Sequence, residues 1–66
     1  MGNLGKCRSV GEGVTELKID FGPAYRIYFA EEGTSIILLW GGIKDTQEAD
    51  ILKAKQYWRN HNAQEA

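Results

Sequence analysis

Two runs of strict alternation, each closed by a turn, constrain this chain more than any other feature. Between Val14 and Phe21, Thr15, Leu17, Ile19 and Phe21 point one way, while Glu16, Lys18 and Asp20 point the other. Between Ala24 and Ala30, Tyr25, Ile27 and Phe29 line one face, and Arg26 and Tyr28 line the other. A period of two marks a half-buried strand, because successive side chains of an extended backbone leave opposite sides. Gly22-Pro23 separates the runs; proline fixes its own φ and steers the preceding residue away from helix. Gly11-Glu12-Gly13 and Glu31-Glu32-Gly33 read as the flanking turns. Met1 to Gly5 reads as a loop, and Lys6 to Val10 as a short edge strand. Thr34 to Trp40 is apolar on both faces, with Ile36, Leu38 and Trp40 on one and Ile37 and Leu39 on the other. Such strands are normally covered on both sides. Gly41-Gly42 is expected to end the sheet, which then occupies residues 6–41.

The pattern changes period after these glycines. Asp45-Thr46-Gln47-Glu48 reads as a variant capping box, with Asp45 as N-cap and Glu48 reaching back. Gln47, Ile51, Ala54 and Trp58 recur at helical spacing, with Leu52 beside them. A helix is expected over residues 45–61, with 62–66 as a fraying tail. The fold class is therefore α+β: a three- to four-stranded antiparallel meander followed by one C-terminal helix. One helix covers one face, through Ile51, Leu52, Ala54 and Trp58. The Leu17/Ile27 side is the expected covered face. Tyr28, Ile37 and Leu39 would then lie uncovered, to be met by a partner chain, a preceding segment or a second copy.

Composition limits the function classes. With 66 residues, one domain fits and only about 60% of the unfolded surface can be buried, so the core is marginal. A single cysteine, Cys7, excludes an internal disulfide, and with a single histidine, His61, it excludes a zinc-finger set. No apolar run approaches the roughly 20 residues of a membrane span, and no signal peptide opens the chain. A soluble cytoplasmic domain without metal or cofactor is expected. The net charge of -1 gives no bulk argument for nucleic acid.

Several chemistries have weak grounds. Nothing in the spacing of Cys7 and His61 supports a nucleophilic pair. Asp45, Glu48 and Asp50 surround a helix start, where acids complement the dipole. Gly41-Gly42 precedes a helix N-terminus, but it lacks the Lys-Ser or Lys-Thr of a phosphate loop. The informative set is Lys18, Arg26, Tyr28 and Lys44. Alternation puts Lys18, Arg26 and Tyr28 on one side, and Lys44 sits in the sheet-to-helix loop. Cations beside an aromatic ring suit single-stranded RNA, since Lys and Arg bind phosphate and a ring stacks on a base. Ordinary surface cations produce the same pattern, and both readings stay open on the residues alone.

The run from Val10 to Phe29, with its Gly-Pro-x-Tyr-Arg-x-Tyr-Phe segment, resembles the central block of RelE/HigB-type toxins. It is nearest to their phage-related addiction-module killer protein branch. Leu38-Leu-Trp-Gly-Gly-Ile-Lys-Asp-Thr-Gln47, followed by Asp50-Ile51 and Ala54, resembles that branch's end-of-sheet and helix-start motif. Together they carry a resemblance that covers nearly the whole chain from Leu4 to Trp58. Family members usually begin with a strand and a helical hairpin, so the chain resembles the C-terminal two-thirds of such a toxin. Ile43 stands where the branch often has an acid, and Ala24 where it often has glycine. The resemblance implies a ribosome-dependent mRNA interferase, in which the RNA 2′-hydroxyl attacks the adjacent phosphate without metal. It implies ribosome-bound mRNA and a helix-turn-helix antitoxin as partners. By the same resemblance Arg26 stabilises the phosphate, Lys18 and Lys44 supply further catalytic cations, and Tyr28 stacks on RNA. The tyrosine that some relatives carry on the last helix has no clear counterpart, since Asp50 or Ile51 falls there. Two readings follow: a toxin enzyme, or a non-catalytic remnant that binds an antitoxin or itself.

Overall fold

The structure is a computed structural model and describes residues 6–20, 22 and 24–65. The expected loop from Met1 to Gly5, and Phe21 and Pro23 of the central turn, lie outside the described residues. Four strands, β1 (Lys6–Gly11), β2 (Val14–Ile19), β3 (Tyr25–Glu32) and β4 (Ser35–Ile43), precede a 3-10 turn at Lys44–Thr46 and the helix α1 (Gln47–Glu65). The sheet is an antiparallel meander in the order β1-β2-β3-β4. The expected α+β architecture of a meander and one C-terminal helix is the architecture found.

The boundaries differ from the sequence reading at three places. Gly41-Gly42 does not end the sheet, because β4 continues to Ile43 opposite Tyr25. Asp45 lies inside the 3-10 turn instead of capping α1, and the helix runs to Glu65 through most of the expected tail. The β3–β4 connection is Gly33-Thr34, since Glu31 and Glu32 still pair with Ile36 and Ser35. The β1–β2 hairpin turns on Glu12 and Gly13, with φ of 56° and 82°. Two consecutive positive φ values suit the right-handed twist of a hairpin.

The larger correction concerns which face is covered. Val14, Glu16, Arg26, Tyr28 and Ala30 are buried, whereas Thr15, Leu17, Ile19, Ile27 and Phe29 are only half-buried. The helix therefore packs on the Glu16/Arg26/Tyr28 face, and the Leu17/Ile27 face is open. The reason lies in the packing surface of α1. It presents Gln47, Asp50, Ile51, Ala54 and Trp58; Gln47 and Asp50 hydrogen-bond polar groups of the sheet, and small Ala54 is completely buried. Leu52 was expected in this interface but is 68% exposed.

Strand β4 carries a second correction. A bulge shifts its register, so that Trp40 faces Tyr28 while Leu38 faces Phe29. The extra residue, Leu39, breaks the alternation. Leu39 and Trp40 both pack against the core of Val14, Tyr28 and Ala54, with Val10, Ile51 and Trp58. Ile37 is half-buried. The open apolar positions of β4 are instead Ile36 and Leu38, at 64% and 72% exposure.

Candidate anion-binding site

Strand register builds two rows of polar side chains on the helix-covered face. Lys6 lies opposite Lys18, which lies opposite Arg26. Two residues along, Arg8 lies opposite Glu16, which lies opposite Tyr28. Cross-strand neighbours share a face, so like charges side by side repel unless a counter-charge intervenes. Glu16 supplies it. Its carboxylate accepts hydrogen bonds from Arg8 Nε at 2.8 Å, Gln47 Nε2 at 2.8 Å and Tyr28 Oη at 3.1 Å. Arg26 Nε adds an ion pair at 3.6 Å.

Burial alone pushes the Glu16 carboxyl upward. The hydrogen bonds from Arg8, Gln47 and Tyr28, together with the Arg8 charge, outweigh it and hold the group below the ordinary value. The Tyr28 phenol is pushed up to about 12, first by burial, then by its hydrogen bond to Glu16 and the negative charges of Glu16 and Asp50. Tyr28 is thus a protonated donor at neutral pH and fixes one lone pair of Glu16.

Beside this cluster an open pocket of about 360 Å³ is lined by Lys6, Cys7, Arg8, Glu16, Lys18, Arg26 and Gln47. Four cations surround one carboxylate there, so the pocket favours anions. The Arg26 side chain is only 8% exposed. Its Nε and Nη1 are closed off from solvent without a hydrogen-bond partner among the described residues. A guanidinium has five donors, and a buried donor without a partner costs about 1–3 kcal/mol. An anion in the pocket would meet the Arg26 charge from the remaining side of the guanidinium, since Nε and Nη1 are themselves enclosed. Arg8, on the edge strand, holds Glu16 through its Nε while its side chain stays 60% exposed. Lys18 is partly exposed and pairs with Asp20 at 3.5 Å.

The structure therefore brings Arg26 and Lys18 together, as the alternation predicted, but beneath the helix side of the sheet. Tyr28 is wholly buried, which removes it as a base-stacking surface: the Trp40 row and α1 close over its ring. Lys44 does not line this pocket. Because β4 runs on to Ile43, Lys44 falls on the 3-10 turn, where it borders a separate depression with Asp45, Thr46, Gln47, Glu48 and Ala49. Lys6, Arg8, Glu16 and Gln47 were missed as site residues. Counting back from the Glu12-Gly13 turn sets Arg8 opposite Leu17, and a register shift between Ser9 and Gly11, which the sequence pattern does not mark, moves it opposite Glu16; the i, i+4 helix pattern read Gln47 as packing alone.

The helix start is anchored next to the site. Asp50 is buried and accepts from Trp40 Nε1 at 2.8 Å and from the Thr46 hydroxyl. It is a structural acceptor as well as a complement to the helix dipole. Gly42 faces Arg26 across the ladder, and its missing side chain leaves room for the Asp50 carboxylate.

Among known proteins, the chain is similar to an uncharacterized protein of Haemophilus influenzae. The two are 49% identical over 55 residues, which cover 82% of this chain and 56% of the relative. The chain thus spans little more than half the length of that relative. No protein-family profile and no solved structure matches the chain. Among the described residues, no helix is long and apolar enough to cross a membrane.

Proposed function

We propose that this chain is the toxin component of a toxin–antitoxin module and acts on RNA as a metal-free endoribonuclease. The observation that carries the reading is Arg26: a buried guanidinium with unspent donors, beside a pocket ringed by Lys6, Arg8 and Lys18. The Gly-Pro-x-Tyr-Arg-x-Tyr-Phe resemblance supports it at the same residue. In the proposed reaction the RNA 2′-oxygen forms a bond to the adjacent phosphorus and the bond to the 5′-oxygen breaks. A 2′,3′-cyclic phosphate and a 5′-hydroxyl result. The 2′-hydroxyl loses one proton and the leaving oxygen gains one. Arg26 donates hydrogen bonds to the non-bridging oxygens as charge builds on them; such preorganised electrostatic stabilisation is commonly the largest catalytic contribution. Lys6 and Lys18 hold the flanking phosphates. Ribosome-bound mRNA is the proposed substrate, and a helix-turn-helix antitoxin the proposed inhibitor.

A second reading is favoured by one observation, the burial of Tyr28. With its ring enclosed, the pocket lining contains no aromatic side chain to splay a base. In that reading the chain binds a phosphate-bearing partner or an antitoxin without cutting.

Induced expression in bacteria, with primer extension on a translated reporter mRNA, distinguishes the two. The enzyme reading predicts growth arrest and new cuts, both abolished in Arg26→Ala. That variant should stay folded, because Arg8, Gln47 and Tyr28 still satisfy Glu16. A folded wild-type chain that neither arrests growth nor cuts RNA would leave the binding reading in place.

A further inference from the structure

We infer that Arg8 is a second phosphate-binding residue of the pocket, and that Glu16 is the positioning residue that aims Arg8 and Arg26 at one tetrahedral dianion. The inference deepens the RNA reading at the same site and rests on it for the substrate. One carboxylate meets both arginines at the same atom. Arg8 Nε donates to Glu16 Oε1 at 2.8 Å, and Arg26 Nε lies 3.6 Å from Oε2. Tyr28 and Gln47 also donate to Oε2, which pins the carboxylate against rotation.

Tethering through Nε decides what each arginine has left. A guanidinium carries five N–H donors, only one of them on Nε. Arg8 therefore keeps its two terminal nitrogens. With the side chain 60% exposed, they are open to an acceptor entering the pocket that both arginines line. Such a planar fork matches two oxygens of a phosphoryl group. Arg26 meets the same ligand from within, by the side of its guanidinium that is not enclosed. The edge strand β1 thus supplies the outer wall of the pocket and β3 the inner one.

Charge sets the ligand class. Lys6, Arg8, Lys18 and Arg26 surround Glu16, and Asp20 pairs with Lys18 at 3.5 Å. Four positive charges against two negative ones leave an excess of two. That excess suits a doubly charged group better than the single charge of a resting phosphodiester. In the proposed cleavage the phosphate carries two negative charges only once the deprotonated 2′-oxygen has added to phosphorus. Binding that strengthens at that stage speeds the chemical step, whereas equally tight binding of the resting substrate does not. The role of Glu16 is open to a direct contrast. A carboxylate present as counter-charge alone would weaken anion binding by repulsion. A carboxylate that aims two arginines strengthens it.

The test is an NMR titration of 15N-labelled protein with sulfate, a tetrahedral dianion, and with dimethyl phosphate, a monoanion, at constant ionic strength. Wild type should bind sulfate at least about fivefold more tightly than dimethyl phosphate. Arg8→Lys keeps the charge but not the fork. It should stay folded, because Tyr28, Gln47 and Arg26 still hold Glu16. Its sulfate affinity should fall about tenfold, the loss expected for one charge-assisted hydrogen bond. Arg59→Lys, on α1 and paired with Glu12, should bind like wild type. Glu16→Gln removes a negative charge beside the anion, yet should bind sulfate more weakly. The inference is overturned by a wild type without preference for sulfate, by an Arg8→Lys protein that binds as wild type does, or by an equal loss in Arg59→Lys. Tighter sulfate binding by folded Glu16→Gln overturns it too. The RNA reading fails separately: a chain with this sulfate preference that neither arrests growth nor cuts RNA keeps the two-arginine site and loses the proposed substrate.

Discussion

Replacing Glu16 with alanine is expected to destabilise the protein by about 3–5 kcal/mol, the scale for breaking a buried ion pair from one side. Glu16 is 3% exposed and is the common acceptor for Arg8, Tyr28 and Gln47. Without it the fully buried Tyr28 hydroxyl loses its partner, and Arg26 becomes a buried cation without its ion-pair partner. Folded domains hold only about 5–15 kcal/mol in total, so much of that reserve would be gone. Urea denaturation measures the loss directly. Glu16→Gln keeps the shape and one acceptor, and should cost clearly less than alanine.

The same carboxylate sets an acid limit. Its pKa in the folded protein lies below the ordinary value of 4.5. Its contribution is therefore complete above that unfolded value and lost as pH falls through the lower, folded one. Stability of wild type should fall with acid in this window, and the Glu16→Gln profile should be flatter there. Equal acid slopes for the two proteins would show that Glu16 is not held ionised by its donors.

The second large effect is expected at Gly42. Its φ is ordinary; what requires glycine is proximity, because a Cβ there would run into the Asp50 carboxylate and come within 3.1 Å of Thr46 Oγ1. Gly42→Ala must displace Asp50, which strains the helix start and removes the acceptor of Trp40 Nε1. Overpacking costs about 1–3 kcal/mol, and the part-buried Trp40 donor adds at most the low end of the penalty for an unmade hydrogen bond, about 1 kcal/mol, so a loss of about 2–4 kcal/mol is expected. A double-mutant cycle isolates the cause. In an Asp50→Ala background the collision is relieved, and Gly42→Ala should cost under about 1 kcal/mol. The same large penalty in both backgrounds would mean that glycine is needed for another reason.

Strand order and helix were legible in the sequence because they depend on local signals. Period-two alternation, the glycine turns and the helical spacing of Gln47, Ile51, Ala54 and Trp58 each act within a few residues. The covered face was not legible, because hydrophobicity pointed to Leu17, Ile27 and Phe29. What decides it is a long-range match: Gln47 and Asp50 on α1 find Glu16 and Trp40 on the sheet, and Gly42 clears the approach. The bulge at Leu39 was hidden for a related reason. A strand apolar on both sides shows no break in pattern when one residue is added. At the site, alternation correctly grouped Lys18 with Arg26, since it concerns residues on paired strands. It gave no warning that Tyr28 would be sealed beneath α1, or that Lys44 would lie past the sheet's end.

The most direct test of the proposed function is made on the Arg26 side chain itself. In 15N-labelled protein the arginine Nε–H resonances can be followed, with Arg26 assigned by its absence in Arg26→Lys. On titration with a short single-stranded RNA, the Arg26 Nε–H signal, closed off from solvent beside Glu16, should shift as a phosphate oxygen docks against the rest of the guanidinium. An uncharged nucleoside should leave it in place. An Arg26 signal that stays fixed while exposed Arg59 responds to the RNA would mean that phosphate binds only as a diffuse surface counter-charge, contradicting the pocket as the site of RNA recognition.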